Sequence, residues 1–283
     1  MTSSDMRELC CIFCLCLILG YSLNFVMDDE EKNTKFTKPV LNVYGNMYLN
    51  ILSTRSHFGK CLAHEFRNVK LPEVDDANLR NSFGQISEIF VIHYSKSIQR
   101  YKFIKSVLQT YNLTARFVTE FDREKIFDLL SCAHKTSGAL TNAEISVKTA
   151  HMAVYYMMAK NNIYNALILE DDAFVVPEQR KTLVKTMDNM LDQIFLRYDV
   201  FFPGGWWDME CRSDEKPVCR RATSRCTHAY VVTNKGAKKN LFNINAKLER
   251  MPIDHMLNHE NLVIYWSNPV LFKQYERIEH VKN

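Results

Sequence analysis

The chain has 283 residues, 47% of them apolar, which suffices for one large α/β domain with appendages but not for two full-sized domains. Its 36 Lys and Arg against 32 Asp and Glu leave a formal charge of +4, scattered without a basic run. That balance gives nucleic-acid binding no compositional support, and neither an internal repeat nor a low-complexity tract is present.

Residues 9–27, LCCIFCLCLILGYSLNFVM, carry no charge; Arg7 precedes them and Asp28, Asp29, Glu30 and Glu31 follow. A run of this length is at the lower limit for a helix crossing a ~30 Å hydrocarbon core. It reads as a signal anchor, with a cleaved signal peptide and a buried helix as the alternatives. The final residues, Glu279-His280-Val281-Lys282-Asn283, are not an ER-retrieval tetrapeptide, which fits an anchor better than a cleaved signal. Residues 28–87 are polar and irregular, contain Pro39 and Pro72, and read as a stem followed by a packing segment.

Regular structure is expected from Glu88. Ile89-Phe90-Val91-Ile92-His93-Tyr94 suits a buried strand, Ser97 stands where a helix cap belongs, and Ile98, Tyr101, Ile104, Val107, Leu108 and Tyr111 recur at helical spacing. Thr114-Ala115-Arg116-Phe117-Val118 follows as a second strand, so the unit is βαβ with parallel pairing. A helix over 142–161 leads to the apolar strand 164–169, which ends abruptly in Glu170-Asp171-Asp172. A helix over 177–196, strands at 199–202, 229–233 and 262–266, and a helix at 235–243 complete an open, mostly parallel sheet. Ligands of such sheets bind outside the carboxyl ends of the strands.

Four of the nine cysteines (Cys10, Cys11, Cys14 and Cys16) lie in the apolar segment. Cys211, Cys219 and Cys226 bracket a loop made basic by Lys216, Arg220, Arg221 and Arg225; their spacing favours one disulfide over a zinc site. Asn112-Leu113-Thr114 is a glycosylation sequon.

Three adjacent carboxylates at the end of an apolar strand repel one another, and a hard divalent cation relieves that repulsion and can neutralise a diphosphate. A solvated turn or helix cap is the plainer reading. On the preceding helix Glu144, Lys148, His151 and Tyr155 form a polar stripe opposite Ile145, Met152 and Met157, which is either an ordinary solvated face or one wall of a site. Trp206 and Trp207 after the Gly-Gly turn are either sugar-stacking or buried, and His228 is either a metal ligand or a hydrogen-bonded core histidine.

The stretch 89–100, Glu144-Ile145 with His151, Leu169-Glu170-Asp171-Asp172-Ala173, Thr227-His228-Ala229-Tyr230 with Gly236-Ala237, and Pro252-Ile253-Asp254 together resemble glycosyltransferase family 25, in the family's order, over residues 88–275. That family includes bacterial lipooligosaccharide galactosyltransferases and collagen hydroxylysine galactosyltransferases. The resemblance implies a GT-A-like nucleotide-sugar-binding fold over 88–283, a UDP-sugar donor (galactose most often), Mn²⁺ or another divalent cation, and inversion at the anomeric carbon. Asp172 would be the leading metal ligand, with Glu170 on the metal or the donor ribose and Asp171 beside them. Arg100 would contact the nucleotide or its diphosphate, and Glu144 and His151 would line the site. Asp254 is the candidate general base and Asp208 the second candidate. The acceptor would be a glycan or protein hydroxyl, and the chain a type II membrane protein with its transferase domain in the ER or Golgi lumen, or a secreted or lumenal one after signal cleavage. This chain has His93-Tyr94 where the family usually has Asn-Leu, and Ala150 where it has Ser. A transferase-like protein without catalysis, acting in adhesion or as a partner subunit, and a metal-dependent phosphohydrolase are the alternatives from other classes.

Overall fold

The computed structural model describes residues 38–75, 81–137, 140–204, 217–221, 226–244, 247–257 and 261–275. The chain divides into two units, Met1–Leu41 and Asn42–Asn283. Of the first, only the opening turn of a helix is described, so the apolar segment 9–27 lies outside the described residues. Among the described residues no helix is long and apolar enough to cross a membrane.

The second unit is an α/β sandwich. Helices α1 (Lys38–Arg55) and α2 (His57–Phe66) precede β1 (Val74–Asp75). Then follow β2 (Glu88–Ile92), α3 (Ile98–Thr110), β3 (Ala115–Val118), α4 (Phe127–Ser137), α5 (Asn142–Asn161), β4 (Asn165–Glu170) and β5 (Ala173–Val175). The remainder is α6 (Leu183–Gln193), β6 (Val200–Phe202), β7 (Val218–Arg221), β8 (Ala229–Thr233), α7 (Asn234–Phe242), the short α8 (Ile253–Met256), β9 (Ile264–Ser267) and β10 (Phe272–Gln274).

Eight strands form one sheet in the order β1-β3-β2-β4-β8-β6-β9-β7, and β10 pairs with β5 in a second, two-stranded sheet. Parallel pairing holds as expected for β3-β2-β4 and for β6-β9. Strand β8 lies antiparallel between β4 and β6, and β1 and β7 pair antiparallel at the two edges, so the sheet is mixed rather than mostly parallel. The reason lies in the connection: the long stretch after β6 returns to the end of the sheet where β6 stops, and a strand starting there needs no crossover.

Alternation along the strands divides the core into two. Phe90, Ile92, Ala166, Ile168, Tyr230 and Val232 face a cluster shared with α1, α2, α4, α5 and α7. Their neighbours Ile89, Val91, Leu167, Leu169, Ala229 and Val231 face a second cluster built with α3 and α6. The segment read as irregular stem therefore contains two helices, and Leu52, Phe58, Leu62 and Phe66 are core residues. A disulfide joins Cys61 of α2 to Cys132 of α4. Cys219, one of the three loop cysteines expected to hold a bridge, is disulfide-bonded.

Helix α5 is the central element. Thr141 and Glu144 close a reciprocal capping box at its start, and Asn162 ends it in the left-handed region at φ 51°. Nearly every residue from Ile145 to Ala159 is buried, so the polar stripe is not a solvated face. Lys148, His151 and Tyr155 are each 0% exposed and must find partners inside.

Candidate active site

The parallel strands β2 and β4 end side by side, with Ile92 opposite Glu170. Beyond this edge the chain turns through Asp171 and Asp172 into β5, which β10 flanks with Gln274 opposite Ala173. Asp171 and Asp172 are buried, at 4% and 2% exposure. Helix α3 starts just after β2 and presents Arg100 from its first turn. Arg100 Nη1 stands 3.1 Å from Asp171 Oδ1 and 3.1 Å from Asp172 Oδ2, so one guanidinium bridges both carboxylates.

Asp171 is fully engaged. Besides Arg100, its Oδ2 accepts from His93 Nδ1 at 2.8 Å and from the Tyr94 amide at 3.4 Å. His93 thus holds the middle carboxylate. Asp172 is engaged on one oxygen only: Gln274 Nε2 donates to Oδ2 at 3.0 Å, while Oδ1 is buried without a partner among the described residues. Burial, then the Glu170 charge, pushes the Asp172 carboxyl up to about 6, against the pull of Gln274 and Arg100.

Glu170 points the other way, into a buried polar chain. Its Oε1 accepts from Thr227 Oγ1 at 2.5 Å. His151 Nε2 lies 3.5 Å from the same oxygen, an ion-pair distance too long for a hydrogen bond, and Nε2 has no other partner among the described residues. On its far side His151 Nδ1 bonds the Tyr230 hydroxyl at 2.8 Å, which bonds the Tyr155 hydroxyl at 2.7 Å. Burial works to raise the Glu170 carboxyl, but His151, Thr227 and the nearby His228 together hold it below its ordinary value. His228 is a core histidine: burial lowers its pKa, Nε2 approaches the Phe272 carbonyl at 3.4 Å, and Gly204 packs against its ring, where a Cβ would come within 2.6 Å of Nε2.

Five of the residues singled out in the sequence therefore meet at one edge of the sheet: Arg100, His151, Glu170, Asp171 and Asp172. Glu144 does not join them by its carboxylate, which accepts from the Thr141 amide and hydroxyl at 2.8 Å each within the helix cap. Asp254 sits on α8, which packs on α5; its Oδ1 accepts from the His255 amide at 2.9 Å and its side chain is 28% exposed. Asp208, Trp206, Trp207 and Cys211 lie outside the described residues. Sequence reasoning missed Gln274, whose position depends on the β5–β10 pairing, and the role of Lys148. The Lys148 ammonium donates to the carbonyls of Leu248, Glu249 and Met251 at 2.8, 3.0 and 2.8 Å, tying α5 to the segment that leads into Asp254.

The donor set suits a hard cation in part. Glu170, Asp171 and Asp172 do not bring three ligand atoms together, since the one trio of His, Cys, Asp or Glu that does so among the described residues lies elsewhere. Asp172 Oδ1 nevertheless is a buried carboxylate oxygen in need of a positive partner.

A buried acidic turn at the carboxyl ends of two parallel strands, bridged by arginine, lies where α/β sheets bind their ligands. Residues 86–257 match the family model described as glycosyltransferase family 25 (LPS biosynthesis protein). That stretch covers more than half of the chain and includes the whole acidic turn, so the chain belongs to glycosyltransferase family 25. It is also similar to procollagen galactosyltransferase 2 of Homo sapiens, with 29% identity over 154 residues, 52% of this chain and 24% of that protein. The match thus spans about a quarter of the length of that relative.

Proposed function

We propose that the chain is a metal-dependent, inverting glycosyltransferase of GT-A type that moves a hexose, galactose, from a UDP-sugar to a hydroxyl of a glycan or glycoprotein. The observation that carries this reading is Asp172 Oδ1, a buried oxygen without a described partner, beside Arg100 and inside the family-matched stretch. Asp172 would hold Mn²⁺ or another divalent cation, with Glu170 assisting and donor oxygens or water completing the shell. When bound, such a cation supplies charge neutralisation for a departing diphosphate.

The chain's own residues divide the remaining work. Arg100 is placed to offer guanidinium hydrogens to the diphosphate while bridging Asp171 and Asp172. Thr227 donates to Glu170, and the His151–Tyr230–Tyr155 chain backs it, so this side chain, 21% exposed, is held in one orientation. In the reaction the acceptor oxygen attacks the anomeric carbon from the face opposite UDP, the bond to the diphosphate oxygen breaks, and a carboxylate takes the hydroxyl proton. Asp254 is the proposed base and Asp208 the second candidate. The reading includes a lumenal orientation behind a membrane anchor at residues 9–27, in which the exposed Asn112 would be open to glycosylation.

The test is release of UDP by the purified chain from a panel of UDP-sugars, with and without Mn²⁺ and with galactosylated or hydroxylysine-containing acceptors. Metal-dependent release from one donor is expected. No release from any donor, with or without acceptor, would overturn the proposal.

A further inference from the structure

Helices α2 and α4 pack against each other away from the acidic turn. On α2, His57, Cys61 and Glu65 recur every four residues, and on α4 Asp128 and Cys132 do the same. Each set therefore forms a row along one helix face. The two rows, with the Cys61–Cys132 disulfide among them, line one cavity of about 300 Å³. His57 Nε2 stands 3.4 Å from Cys132 Sγ, and the histidine nitrogen and both sulfurs lie within 4.8 Å of one another. Glu65 and Asp128, carboxylates of like charge, line the same cavity and act on each other electrostatically.

We propose that His57, Cys61 and Cys132 form a metal site, separate from the acidic turn, which takes the thiophilic divalent cation zinc once the Cys61–Cys132 disulfide is reduced. Two sulfurs and an imidazole select zinc over Mg²⁺, Ca²⁺ or Mn²⁺, which prefer oxygen. With Zn–S bonds of about 2.3 Å, two thiolates on a tetrahedral ion sit roughly 3.8 Å apart. The Cys61 and Cys132 Cα atoms, 6.4 Å apart, accommodate that spacing by side-chain rotation alone. Among the described residues no carboxylate joins the trio within 4.8 Å, so water completes the tetrahedron, or Asp128 or Glu65 after a side-chain rotation.

The chemistry balances with a phosphine as reductant. The disulfide takes two electrons from phosphorus, water supplies the oxygen of the phosphine oxide, and the two water protons go to the two thiols. Zinc then displaces both thiol protons, and two thiolates with a neutral histidine leave the trio and its ion without net charge.

The test is cobalt titration of the full chain under anaerobic conditions, before and after phosphine reduction, followed by zinc competition. Reduced wild type is expected to develop a thiolate-to-cobalt charge-transfer band with the visible bands of four-coordinate cobalt, abolished by one equivalent of zinc. Oxidised protein should show neither. His57→Gln alters an exposed side chain, leaves the fold intact and should weaken binding about tenfold or more; Cys132→Ser should abolish the band. A reduced wild type without the band, or an undiminished band in both variants, which would assign it to other cysteines, overturns the proposal.

Discussion

Lys148→Met tests how the centre of the molecule is held together. The wild-type ammonium is 0% exposed and donates to three carbonyls, of Leu248, Glu249 and Met251, with the Phe58 ring 5.3 Å away. Burial pulls its pKa from 10.5 down to about 7, with the Glu249 charge opposing. Near neutral pH that fall corresponds to a penalty of about 4 kcal/mol, which methionine removes. Methionine also removes three charge-assisted bonds, a loss of about 2 kcal/mol each, although the Leu248 carbonyl keeps the Met251 amide at 3.1 Å. The carbonyls win, and the variant is expected to lose about 2 kcal/mol near neutral pH, a fall in Tm of roughly 4–8 °C. The sign of the pH dependence follows from linkage. The folded pKa lies below the unfolded one, so the unfolded chain binds more protons between about 7 and 10.5, and wild type gains stability as pH rises through that window. The variant lacks this gain, so the gap between the two should widen from neutral pH towards 9. Urea unfolding of both proteins at several pH values measures it. Equal stability near neutral pH, or a gap that narrows on raising pH, would refute the reasoning.

Two other substitutions probe the frame around the site. In Gly236→Ala the new methyl would overlap the backbone carbonyl of Asp199, which cannot swing aside as a side chain would. The expected loss is about 3 kcal/mol by thermal unfolding, and an unchanged Tm would show that the strand end at Asp199 yields. Tyr155→Phe removes one hydroxyl from the Tyr155–Tyr230–His151 chain and should lower stability by about 1 kcal/mol in urea; no change in midpoint would mean that Tyr230 finds another partner.

Much of this architecture was legible because its signals are local. β2, α3, β3, α5 and β4 follow from apolar runs, helical spacing and caps within a few residues of each element. The acidic turn was legible because three carboxylates after a buried strand have few comfortable environments. Long-range pairing was not: the Cys61–Cys132 bridge spans 71 positions, and the partners of Lys148 lie 100 to 103 residues away. A periodic stripe also looks the same whether it faces water or three carbonyls, so the burial of Lys148, His151 and Tyr155 needed the packing of α5. The antiparallel course of β8 depends on where a long connection returns. Helix α2 carries Phe58, Leu62 and Phe66 at four-residue spacing, a readable signal that the surrounding polar composition masked.

The central claim, that Asp172 is the metal-dependent anchor for a nucleotide-sugar, is tested most directly by calorimetric titration of UDP into wild type and Asp172→Asn, each with and without Mn²⁺. Asparagine keeps the shape, and its oxygen can still accept from Gln274, so both proteins should unfold at similar temperatures. Wild type is expected to bind UDP only with Mn²⁺, and the variant at least about tenfold more weakly, in line with the loss of a charged ligand. Equal binding by the two proteins, or none by wild type in Mn²⁺, would contradict the account.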